Sequence, residues 1–89
     1  MAKNQVVTDS LGNRFITIGS VGYIVTHSGI LEGYDVYYSY PRDAKEVIIF
    51  IPTLDSTQIF KFNIDQPWSL LKWSRIEDHT RKLIKDLKG

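Results

Sequence analysis

The chain contains no cysteine. That excludes a disulfide and a cysteine-ligated zinc site, two staples on which small domains often rely. It fits an intracellular protein, and the expected location is the cytoplasm. Long apolar runs are also missing. No stretch approaches the roughly 18 apolar residues of a membrane-spanning helix, so no membrane role is expected. The opening MAKNQVVTD has one lysine and no apolar core, unlike a secretory signal. Histidine is scarce: His27 and His79 stand alone, with no ligand-like spacing between histidines. A metal site needs three or four ligands, so neither a metal nor another cofactor is expected.

Catalytic patterns are equally thin. Ser28 follows His27, but neighbours on a strand point to opposite faces and cannot form a nucleophile–base pair. Gly19-Ser-Val-Gly22 opens a strand-like segment and lacks the lysine and hydroxyl of a phosphate loop. Asp35, Asp43, Asp55 and Asp65 are scattered, with no spacing that pairs two of them. Eighty-nine residues also spare little volume for a substrate pocket. The sequence therefore reads as a non-enzymatic protein.

What is present is ordinary globular material: 43% apolar and 24% charged residues, enough to fold and too short for more than one domain, taken as residues 1–89. Net charge is +1, unevenly spread. Residues 1–71 carry five basic and seven acidic side chains, whereas residues 72–89 carry six basic and three acidic. A basic end suits an anionic partner, or simply a solvated helix face.

Alternation at period two fills residues 6–64. DSLGN at 9–13 is a turn, and it predicts a hairpin between VVTD and RFITI. Residues 1–5 are expected to fray. RFITIGSVGYIVTHS breaks at Gly19 and Gly22, which predicts a sharp bend within a strand. In YDVYYSY, four tyrosines occupy seven positions. Tyr34, Val36, Tyr38 and Tyr40 share one face, with Asp35, Tyr37 and Ser39 on the other. The simplest reading turns the three-tyrosine face inward, hydroxyls at the rim, and leaves Tyr37 outside; a tyrosine binding platform is the alternative. PRDAKE is a turn. EVIIFIP is apolar at every position from Val47 to Ile51, so it should be covered on both faces. IFKFNI alternates again, which makes residues 34–64 a three-strand meander.

The period then changes. Residues 67–88 read as helical, either as one helix or as a turn at DQPWSLLKW followed by a helix capped at Ser74 with Glu77. Ile76, Thr80, Leu83, Ile84 and Leu87 form its apolar stripe. The elements sum to a mainly β chain with a C-terminal α-helix: an antiparallel barrel or curled sheet of four to five strands, capped by the helix.

With Gly19-Ser-Val-Gly22-Tyr-Ile-Val25 leading through a loop to Tyr34–Tyr40, residues 13–64 resemble an SH3-like small barrel. The acidic-aromatic signature of the proline-rich-peptide binders is absent, and no peptide site is carried over. The resemblance implies a binding module rather than an enzyme.

Two surfaces suit such a module. The outer sheet face offers Tyr37, Ile59, Lys61 and Tyr23. Trp68 and Trp73, with Leu70 and Leu71, either plug one end of the fold or anchor a partner. The partner expected is another protein, with this chain as adaptor, accessory subunit or small inhibitor; a homodimer is one form of this, and the size also suits a phage or mobile-element protein. The alternative is nucleic acid, held by Lys61, Arg81, Lys82, Lys85 and Lys88. It ranks second because Glu77, Asp78 and Asp86 interrupt the basic helix.

Overall fold

The computed structural model describes residues 4–40, 45–64 and 72–89. Among them, seven strands precede one helix: β1 (Gln5–Thr8), β2 (Arg14–Ile18), β3 (Val21–Ile24), β4 (His27–Leu31), β5 (Tyr34–Ser39), β6 (Glu46–Phe50), β7 (Phe60–Asn63) and α1 (Trp73–Lys88). The strands form two antiparallel sheets, ordered β1-β2-β3 and β4-β5-β6-β7. The expected mainly β chain with a C-terminal helix is what forms. The expected four or five strands are too few, and the sheets do not close into a barrel.

The extra strands arise from tight turns. Asp9 Oδ1 accepts hydrogen bonds from the backbone N–H groups of Leu11 and Asn13, each at 2.9 Å, and so closes the expected β1–β2 turn. Gly19 does not bend a strand; it reverses the chain. Ile18 pairs with Val21 across Gly19 and Ser20, and Gly19 has φ 60°. A two-residue hairpin loop with glycine first is the II′ type, whose twist matches the flanking strands. A second tight turn joins β4 to β5 through Glu32 and Gly33, both at positive φ (52° and 84°). The N-terminal edge is also tied down further than expected. The Asn4 N–H donates to the Ser56 carbonyl, and Gln5 pairs with Thr17.

Helix α1 lies on one face of the four-stranded sheet. Leu31, Val36, Tyr38, Tyr40, Val47, Ile49 and Ile51 pack there against Ile76 and Ile84, with Tyr34, Phe60, Phe62, Trp73 and Leu83 at the margin. The tyrosine face is thus core rather than platform. One detail differs from expectation: the Tyr38 hydroxyl reaches no rim but a buried partner on the helix, Thr80. The opposite face carries Ser39, Ile48 and Phe50, all buried although α1 lies on the other side. Ile16 of β2 is equally buried, and Arg14, on the same face of β2, contacts Ser28 and Tyr37. The three-stranded sheet therefore covers this second face, which is why Val47–Ile51 is apolar at every position. Full burial of each such side chain stabilises by about 1.5–3 kcal/mol. The result is three layers: helix, four-stranded sheet, three-stranded sheet.

The helix begins at Trp73, so Ser74 is not its cap. Lys72 holds the cap position in extended geometry, with no side-chain cap bond. Trp73 is drawn into the first turn by its ring contacts: the indole stacks on His27 at 4.4 Å and meets Tyr38 edge-on at 5.4 Å. Gly89 ends the helix at φ 86°, its N–H donating to the Asp86 carbonyl. The turn expected at PRDAKE falls largely outside the described residues, as does the helical turn before Lys72. No described helix is long and apolar enough to cross a membrane.

Candidate functional site

The second face of the four-stranded sheet is only partly covered, and a polar depression opens where the cover ends. Its geometry follows from register. Ser28 of β4 stands opposite Tyr37 of β5, and Ile30 stands opposite Asp35, so all four share this face. Arg14 enters from β2. It lies two residues before the buried Ile16 and so projects from the same side of its own sheet. Its Nη2 donates a 2.9 Å hydrogen bond to Ser28 Oγ, and its guanidinium carbon sits 5.7 Å from the centre of the Tyr37 ring. Arg14, Ser28, Gly29, Ile30, Asp35 and Tyr37 line an open depression of about 150 Å³.

Two properties set this patch apart. The exposed arginine has a hydroxyl on one side and a π face on the other, which restricts a side chain that otherwise has many rotamers. Among the described residues, neither charge has an oppositely charged partner: no carboxylate lies within 4 Å of Arg14, and Asp35 makes no ion pair. Ile30, 71% exposed, supplies an apolar wall.

Of the site residues expected from sequence, Tyr37 is here, at the centre. Tyr23 is opposite Ile16 on the inward face of the three-stranded sheet and is half-buried. Lys61 lies on the second face of the four-stranded sheet, where its ammonium pairs with Glu46 at 3.6 Å. Trp73 is half-buried at the margin of the core between α1 and the four-stranded sheet. Trp68 lies outside the described residues. Arg81, Lys82, Lys85 and Lys88 are all exposed on α1. Arg81 is bound to Asp78 at 2.9 Å, and the Lys88 ammonium stands 5.5 Å from the centre of the Tyr34 ring. The structure does not bring Lys61 to them: it occupies the face of the sheet opposite the helix.

Sequence reasoning passed over Arg14. It reads as an ordinary polar residue opening RFITI, and its partners are 14 and 23 positions away on the other sheet. It also passed over a cross-strand apolar row. Val7 pairs with Phe15 and Phe15 with Ile24, on the side of the three-stranded sheet away from Ile16. Val7 and Ile24 are 37% and 46% exposed. Alternation in VVTD and RFITI was the available signal, since both strands carry apolar residues on both faces.

Both histidines are engaged in ring contacts, His27 with Trp73 and His79 with Phe62 at 4.7 Å. Among the described residues no group of three His, Cys, Asp or Glu is placed to hold a metal. No protein-family model matches this chain, and no curated protein or solved structure matches it significantly.

Proposed function

We propose that this chain is a non-enzymatic binding module whose partner is another protein, engaged through the face around Arg14 and Tyr37. The observation that carries the reading is the Arg14–Tyr37 pair, tied to Ser28 by one hydrogen bond, beside exposed Ile30. Arginine and tyrosine are the side chains most enriched, with tryptophan, at the energetic centres of protein interfaces. Holding them in place before binding reduces the ordering cost of association. The Val7–Phe15–Ile24 row, with Val7 and Ile24 exposed, lies on the other side of the three-stranded sheet and is not part of this face. The reading also agrees with what the SH3-like resemblance implied, a binding module rather than an enzyme, although the sheets do not close into that barrel.

The nucleic-acid reading rests on the exposed lysines of α1 and ranks second. A phosphate-binding surface needs a dense basic stripe. Here Arg81 is neutralised by Asp78, and Lys61 is on the far side of the sheet.

Affinity capture from cells of the chain's own source, after nuclease treatment, separates the two. The expected result is a discrete protein retained by the wild-type bait and lost with Tyr37→Ala. Capture that disappears with nuclease and is indifferent to Tyr37 overturns the proposal.

A further inference from the structure

The depression also carries information about what it binds. Its two charges are of opposite sign and stand on one exposed face of the fold. Arg14 lies over Tyr37, and Asp35 stands two residues earlier on the same strand and the same face. Side chains at i and i+2 of a strand project in parallel from backbone positions about 7 Å apart, so Asp35 is offset by that step along β5 from Tyr37, the ring the guanidinium lies over. The guanidinium uses one N–H on Ser28. A planar fork of five donors leaves others for a carboxylate, which it matches with two parallel hydrogen bonds. Asp35, with no ion pair among the described residues, accepts hydrogen bonds only and suits an ammonium or guanidinium. Between them run the Gly29 backbone, without a side chain, and the apolar Ile30.

We infer that the depression takes an extended peptide segment of the partner in which an acidic and a basic residue are two positions apart. In an extended chain such residues share a face at the same roughly 7 Å spacing. The carboxylate docks on Arg14 and the cation on Asp35, while the residue between them points away. Adjacent opposite charges do not fit, because they project to opposite faces. This inference rests on the protein-binding reading and names the chemistry of its partner.

The test is an NMR titration of the folded, isotope-labelled protein with three capped pentapeptides. All share a threonine–valine background. One has glutamate and lysine two residues apart, one has them adjacent, and one has glutamine at both charged positions of the first. The expected result is saturable shifts at Arg14 Nε–H, Ser28, Ile30 and Tyr37 for the first peptide alone. Affinity should fall roughly tenfold or more in Arg14→Gln, the effect of losing a charge-assisted bond. The dispersed spectrum of that variant shows directly that it is folded, and Asp35→Asn gives an independent second variant with the same expected loss. Equal shifts with the adjacent-charge or glutamine peptide overturn the inference, as does absence of saturable shifts at these residues up to millimolar concentration. If the peptides fail while capture of a protein still depends on Tyr37, the partner chemistry is wrong and the protein-binding reading stands. Light scattering of the free protein covers the remaining occupant. A concentration-dependent dimer lost in Tyr37→Ala would assign the depression to a second copy of the chain and overturn the peptide assignment.

Discussion

The hydroxyl of Tyr38, the penultimate residue of β5, donates a 3.0 Å hydrogen bond to Oγ1 of Thr80, mid-way along α1. Both residues are buried. Thr80 Oγ1 in turn donates to the Ile76 carbonyl at 2.7 Å. This relay is the polar pin between helix and sheet, set inside an otherwise apolar layer. Thr80→Val leaves the Tyr38 hydroxyl buried without that partner and should cost about 1–3 kcal/mol. Tyr38→Phe removes the donor but leaves Thr80 bonded to Ile76, and should cost about 0.5–1.5 kcal/mol. The double variant should cost less than the sum, because both partners are then apolar. Urea unfolding of the four proteins checks this. Strict additivity would mean that the two hydroxyls do not act as a pair.

The same tyrosine should make the fold sensitive to alkali. Burial pushes the Tyr38 hydroxyl above its ordinary pKa of 10.0, against the opposing pull of its bond to Thr80. The folded state therefore favours the neutral phenol. That contribution is fully present below the ordinary tyrosine value and is lost as pH rises through the higher folded one. Wild type should lose stability above about pH 10 more steeply than Tyr38→Phe. Thermal unfolding measured at intervals from neutral pH upward shows whether the two curves converge. Parallel curves would place the alkaline sensitivity elsewhere.

The β4–β5 turn holds an avoidable strain. Glu32 occupies a left-handed conformation at φ 52°, ahead of Gly33 at φ 84°. Two successive positive φ values define the I′ hairpin turn, for which asparagine followed by glycine is the favoured pair. Glu32→Asn should raise stability by about 0.5 kcal/mol, since asparagine tolerates this region better than glutamate. A higher midpoint in thermal unfolding is the expected outcome. A lower one would mean that the Glu32 side chain contributes more than its backbone costs.

Legibility followed local periodicity. The β5 tyrosine face, the apolar β6 and the Ile76–Thr80–Ile84 stripe of α1 all declare themselves through spacing of two or between three and four residues, and they form the larger core. The Gly19 hairpin did not. A glycine between two alternating runs signals either a bend or a reversal, and only pairing of Ile18 with Val21 decides between them. α1 starts two residues before the position a cap at Ser74 would set, with Lys72 at the cap and Trp73 stacked on His27. The site was half legible. Tyr37 follows from alternation on β5, whereas Arg14 depends on how the three-stranded sheet lies across its neighbour, which no local pattern encodes.

The most direct measurement is the equilibrium affinity of the captured partner protein for three forms of this chain: wild type, Tyr37→Ala, and Lys82→Glu combined with Lys85→Glu. If recognition centres on Arg14 and Tyr37, Tyr37→Ala should cost about 2 kcal/mol or more, roughly a thirtyfold loss, with the fold intact. The helix variant should stay within about twofold of wild type, as expected of solvated charges outside an interface. The opposite pattern, an unaffected Tyr37→Ala and a helix variant that no longer binds, would contradict the proposal and move the interface to α1.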